Sequence, residues 1–354
     1  MAKTLRNVFD EVCSFENLWL AYRRARRGKR YDEPAACFDF RAEDRILQLG
    51  TELREGMYSP GAYHHFWIHE PKRRKISAAP FRDRVVHHAV VNVLEPFYEA
   101  RFSASSYACR RGKGTHAAME RAHWGVRNCR WMLKGDIVKF FPSVDHAVLK
   151  SVLWRHVADP RLGDLIEKLI DSGRGILDEE RQPCWFAGDD LLAPAERYCG
   201  LPIGNLTSQF FANVLLNELD QYVHRSIRPR DYVRYSDDFI LFDHDKEKLA
   251  DARDRLAEFT DGLRLRLHPR KTCVRPCGQG VVFLGFRLTP ETRRISRDGI
   301  SRFRRRMRGY HNQRMHGNMP DMQRIGASVQ GWLAHVEHGN CHALVRRVLH
   351  DVVV

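Results

Sequence analysis

No run of about 18 apolar residues occurs in this 354-residue chain, so no membrane-crossing helix is expected. No apolar stretch near residue 1 resembles a secretory leader. The nine cysteines are an odd number and form no Cys-x-x-Cys pair. Cys273, Cys277 and nearby His268 therefore lack the paired spacing of a zinc site. These absences together lead us to expect reduced thiols, a cytoplasmic location and no membrane partner. Acidic residues are also in short supply, 44 against 59 Lys plus Arg, and the formal net charge is +15.

That excess favours a polyanionic partner, because each neutralised phosphate releases counterions. Arginine far outnumbers lysine, which suits bidentate phosphate contacts and stacking on bases. The charge gathers in "YRRARRGKR" (22–30), "KRRK" (72–75) and "RRISRDGISRFRRRMR" (293–308). Any one such run reads as a solvated face. Three of them, interspersed with Tyr22, Tyr31, Phe303 and Tyr310, point to nucleic acid.

Hydrophobic residues make up 43% of the chain, enough for a substantial core and two or three subdomains. Residues 1–60 read as amphipathic helix, with Phe15, Leu18, Trp19 and Tyr22 on one face. An aromatic hairpin is expected over 63–80, turning near Pro71, then a helix from 81 to about Pro96. Thr115 is expected to cap the next helix and Asp145 another, running to about Val157. Between them "WMLKGD" predicts a strand ending in Asp136, and 172–200 has the composition of a loop. A one-sided helix follows, with Phe211, Val214, Leu215, Leu219, Tyr222 and Val223 on one face. A helix over 245–260, strands "LRLRL" and "VVFLGFRL", and a basic helical 291–354 complete the chain. The order from 130 to 270 suits a split β-α-β sheet.

Within that order, "YVRYSDDFILF" (232–242) sets Asp237-Asp238 in the middle of a strand-like run. Strands disfavour Asp, and adjacent carboxylates repel. Ser-Asp-Asp is good turn chemistry, so a hairpin tip is one explanation and a metal site another. The split sheet would bring Asp136 beside the tip, and three converging carboxylates call for cations. Two Mg²⁺ ions would neutralise them, activate a 3′-hydroxyl and stabilise a departing pyrophosphate.

"YSDD" in a hairpin, "DIVKFF" upstream, "GLPIGNLTSQ" between them and "FLGF" downstream resemble the ordered motifs of reverse transcriptases. The resemblance extends from about 66 to 345 through "PKRRKISAAPFRDRVVHHAV", "SYACRRGKGTHAA", "LHPRKT" and "SVQGWLAHVEHGNCHAL". It implies an α+β right-hand polymerase: an N-terminal helical region (1–60), fingers (61–130), a palm (131–289) with a fingers insertion at about 150–200, and a helical thumb (290–354). It also implies roles residue by residue. Asp136, Asp237 and Asp238 would be catalytic and bind two Mg²⁺ ions, with Mn²⁺ as a substitute and the Ile137 carbonyl completing the shell. Lys72 and Arg74 would clamp the incoming triphosphate, and Lys271 would protonate the leaving pyrophosphate. Phe141 would exclude a ribose 2′-hydroxyl, which disfavours an RNA polymerase. Arg110, Arg111 and Lys113 would contact template or nucleotide phosphates, and Phe283, Leu284 and Gly285 would grip the primer.

In "LPIGNLTSQ", Ile203-Gly204 and Ser208-Gln209 stand where most reverse transcriptases have Gln-Gly and Ser-Pro. That pattern resembles the enzymes of diversity-generating retroelements, which copy a template RNA with errors at adenines. Ile203, Gly204 and Gln209 would then line the nucleotide site. The implied partners are template RNA, cDNA, deoxynucleoside triphosphates and a small basic accessory variability protein. A bacterial enzyme making cDNA from a dedicated RNA, as in phage defence, is the alternative. A non-catalytic RNA-binding protein is disfavoured by the intact aspartates.

Overall fold

Small polar caps start many of the helices. Ser14 Oγ accepts from Asn17 N at the head of Phe15–Arg26, and Asp145 and Asp159 do the same for His146–Trp154 and Pro160–Asp171. The computed structural model describes residues 4–29, 31–69, 73–316 and 321–353. Lys72, expected at the triphosphate, lies outside them.

Strands β1 (His64–Ile68) and β2 (Arg74–Ala78) form an antiparallel hairpin. Strands β3 (Trp131–Asp136), β4 (Asp231–Tyr235), β5 (Asp238–Asp243) and β6 (Cys273–Pro276) form a sheet in the order β4-β5-β3-β6, every neighbour antiparallel. Helices join β3 to β4 and β5 to β6, so two interleaved β-α-β crossovers make the expected split sheet. Strands β7 (Val281–Phe283), β8 (Phe286–Leu288) and β9 (Arg293–Ile295) form a second sheet. Among the described residues no helix is long and apolar enough to cross a membrane.

One core runs from Phe9 to Leu265, so the N-terminal helices share their packing with the split sheet. A second core joins the helix Thr115–Asn128 to Phe242, Phe283 and Phe286, and a third lies among the C-terminal helices around Phe303 and Trp332. Strand β9 pairs with β8, so sheet pairing crosses the expected boundary at 289/290.

Four local expectations are corrected. The helix Phe81–Glu99 continues through Pro96, because buried Val91, Val93, Leu94 and Tyr98 on both sides outweigh a proline cost of about 3 kcal/mol. Gly114, not Thr115, is the N-cap, and Thr115 instead bonds Tyr235 through its hydroxyl at 3.1 Å. "LRLRL" is a turn, interrupted by Arg264 at φ 54, with only a Leu267–Ile137 bridge. The helix Leu206–Tyr222 is buried on several faces rather than one, since it packs against Phe81–Glu99 and His146–Trp154 together.

The junction of those helices makes stability pH-dependent. His87 is buried, with its Nδ1 3.0 Å from Thr207 Oγ1, and burial, reinforced by the His88 and Arg84 charges, lowers its pKa to about 3. In the unfolded chain imidazole titrates near ~6.5. Between those values the unfolded state binds more protons, so this stability is full above the unfolded value and is lost as pH falls. In denaturant titrations at pH 7 and pH 4.5, wild type should lose about 2–3 kcal/mol more than His87→Gln. Equal losses would show that His87 does not carry the effect.

Candidate active site

Strand register assembles the acidic group. Asp136 ends β3 directly opposite Asp238, the first residue of β5, which puts their Cα atoms ~4.5–5.5 Å apart. Asp237 sits between β4 and β5 in a two-residue turn whose first member, Ser236, is left-handed at φ 56. Gly135 makes this pairing possible, because any Cβ there would strike the ring of Phe239, its cross-strand partner.

Electrostatics set Asp237 and Asp238 apart. Burial raises the Asp237 pKa, and the Asp136 charge adds to it. Burial also raises Asp238, to about 6; Lys134 opposes the shift, while Asp136 and Asp237 reinforce it. Lys134 Nζ stands 3.4 Å from Asp238 Oδ1, near enough to pair as ions but without hydrogen-bond geometry. That buried oxygen thus has no donor. Lys271 Nζ lies 2.6 Å from Asp136 Oδ2. Among the described residues no three His, Cys, Asp or Glu side chains gather at metal-ligating spacing; lysines supply the counter-charge instead. Asp136 and Asp238, opposed across the strands, offer hard carboxylate oxygens, one of them orphaned, and that donor chemistry suits a divalent cation.

Asp237 and Asp238 open onto a cleft of about 860 Å³. Arg74, Phe141, Ile203, Gly204, Gln209 and Leu284 line it as well. Phe140 is the core ring at 2% exposure, leaving its half-buried neighbour Phe141 facing the cleft. The Arg74 charge acts on Asp237. Ile203 O accepts from Ser77 N at 2.9 Å, and a Cβ on Gly204 (φ 119) would come 2.8 Å from Ile76 Cγ2. The "IGN" turn therefore seats directly on β2.

Among the described residues, the remaining expected ones, apart from Leu284, do not line this cleft. Arg110 is a correction: expected at phosphates, it is 6% exposed, paired with Glu99 at 2.7 Å and bonded to the Ser103 and Ser106 carbonyls. Its guanidinium is consumed in holding the loop after Phe81–Glu99. Arg111 is exposed, 3.7 Å from Glu95, while Lys113 bonds Ala104 O and lies over the Tyr107 ring. Phe283 is wholly buried, whereas Leu284 (φ 49) and Gly285 (φ 87) form the β7–β8 turn beside His335. The Ile137 side chain is buried, and Lys271 lines a separate groove.

Sequence reasoning missed the residues that hold these walls together. Asn205, buried, donates to Ser77 O and Pro202 O and accepts from Ala79 N, fastening β2 to the turn. Arg234, wholly buried, forks onto Asp220 at 2.7 and 2.6 Å, donates to Ser236 O at 3.0 Å and reaches Ser106 Oγ. Trp67, stacked under Arg73, is a further wall residue. An arginine inside the apolar "YVRY" was the one available signal for Arg234.

Residues 69–288 match the reverse transcriptase (RNA-dependent DNA polymerase) family. The chain belongs to that family. As a reverse transcriptase it is an RNA-directed DNA polymerase. It is similar to Protein YkfC of Escherichia coli (strain K12), 29% identical over 280 residues, covering 68% of this chain and 70% of that protein. It is 26% identical over 185 residues to the group II intron-encoded protein LtrA of Lactococcus lactis subsp. cremoris, covering 51% of this chain and 28% of LtrA. Nuclear intron maturase 1, mitochondrial, of Arabidopsis thaliana is 29% identical over 190 residues, 42% of this chain and 26% of that protein. The reverse transcriptase thus spans only about a quarter of the length of these two intron-related proteins.

Proposed function

We propose that this reverse transcriptase copies a template-repeat RNA into cDNA with errors concentrated at adenines, in the service of targeted gene diversification. The split sheet is its palm, the β1–β2 hairpin belongs to the fingers and the C-terminal helices form the thumb. Template RNA, deoxynucleoside triphosphates and a small basic accessory protein are the partners this role implies.

The observation that carries the reading is Ile203, an aliphatic side chain at the cleft wall with its backbone committed to Ser77. Isoleucine supplies shape alone where a glutamine would supply a hydrogen bond to the incoming nucleotide. Losing a polar contact that separates right from wrong pairs lowers selectivity by about 1–3 kcal/mol, roughly tenfold to a hundredfold. Ile203→Gln should therefore cut misincorporation opposite template adenine by about tenfold or more. Deep sequencing of cDNA made by both proteins on one RNA template measures it. An unchanged adenine error rate would remove Ile203 as the cause.

In the reaction, the primer 3′-hydroxyl gives its proton to solvent as its oxygen bonds the α-phosphorus, and the α–β bridge breaks to release pyrophosphate. Mg²⁺ held by Asp136, Asp237 and Asp238, with the Ile137 carbonyl, would supply Lewis-acid activation of the 3′-oxygen and charge neutralisation of the leaving group. Arg74 pairs with the triphosphate, a role that the family resemblance implies for Lys72 as well. The Phe141 ring occupies the space a 2′-hydroxyl would need. Lys271 Nζ holds the proton destined for pyrophosphate, and Gly285 lets the primer end approach the backbone.

A further inference from the structure

A second groove, of about 370 Å³, lies beside the cleft and is lined by Lys134, Arg270, Lys271, Arg275 and Arg287, with no acidic side chain. Among the described residues no carboxylate pairs with Arg270, Arg275 or Arg287. Arg275 Nε donates to Cys273 Sγ at 3.1 Å, and Arg287 to the Gln279 carbonyl at 3.5 Å. Such a concentration of cations gives the groove a positive potential that attracts anions.

Strand register ties this groove to the reaction centre. Lys134 faces Cys273 and Met132 faces Arg275 across the β3–β6 pair, so these side chains share one sheet face. Asp136, two residues beyond Lys134, is on that face too. Counting from Asp136, cations recur at Lys134 and then at the level of Arg275, in steps of ~6.6 Å. At the near end stand the two lysines that already contact Asp136 and Asp238. An anion expelled beside three carboxylates is repelled by them and meets positive charge in this direction.

We propose that the groove is a binding site for a free polyphosphate anion, occupied by pyrophosphate as it leaves the aspartates. The identity of the occupant rests on the polymerase reading above; the anion site itself does not. A small, multiply charged product fits a short groove of this volume, whereas a duplex does not enter it.

Calorimetric titration of inorganic pyrophosphate into the metal-free protein tests the site without any polymerisation. Wild type should bind saturably, and the double variant Arg275→Gln/Arg287→Gln should bind roughly tenfold more weakly. Pyrophosphate inhibition of primer extension should weaken by a similar factor, with primer–template affinity unchanged. Should the double variant fold poorly, Arg287→Gln alone should show a smaller loss, and Arg275→Lys should retain binding. Equal pyrophosphate affinity in wild type and variants overturns the proposal. So does a loss confined to primer–template affinity, which would assign the groove to a nucleic-acid strand. A protein that binds pyrophosphate yet extends no primer keeps the site and sinks the polymerase reading.

Discussion

Asp237→Asn is expected to slow primer extension on an RNA template by about a thousandfold, ~4 kcal/mol of transition-state stabilisation. The substitution keeps the shape of the hairpin tip and removes one charge from a group in which Asp136 faces Asp238 across the sheet. Folding should not suffer. Burial and the Asp136 charge both work against ionised Asp237, so the neutral amide should leave thermal stability equal or higher in metal-free protein. Steady-state extension rates and melting curves, taken on the same preparations, separate the two effects. Undiminished extension by a well-folded variant would remove catalysis from this site.

Arg234→Met should be the most damaging substitution to the fold itself. The guanidinium is wholly buried and answers an equally buried Asp220, which also accepts from Tyr232 OH at 2.8 Å. Removing one partner strands the other charge in the interior, at a cost of about 3–5 kcal/mol. Adding Asp220→Leu should restore part of that stability, because the stranded charge is gone although the buried Tyr232 hydroxyl loses its acceptor. Activity should not return with it, since Ser236 O would still lack the donor that fixes the turn carrying Asp237. Denaturant midpoints and extension rates for the two variants check both statements. Full activity in the double variant would show that Arg234 merely holds the fold.

These two residues differ in how visible they were. Asp237-Asp238 broke a strand-like pattern in a way that local chemistry could not easily explain, so the pair announced itself. Arg234 sat in the same strand and looked like one more cation of a basic chain. Its partner lies 14 positions away on a helix whose packing no periodicity revealed. Arg110 failed in the opposite direction: its motif implied phosphate contact, but Glu99 on the preceding helix had already taken its charge. Proline at 96 and the "LRLRL" stretch misled for a related reason, because local propensity counts for less than burial on both sides or an engaged Arg264, 2.8 Å from Asp145.

Residue types at short spacing suffice for the alternation of strands and helices, the basic character and the ordered motifs. Which cations remain available depends on contacts made in the folded chain. Arginines at 110 and 234 are spent inside the protein, while those at 275 and 287 face an open groove, and which fate each meets depends on partners distant in the chain. Coulomb energy follows distance and burial, and neither is written in the order of residues.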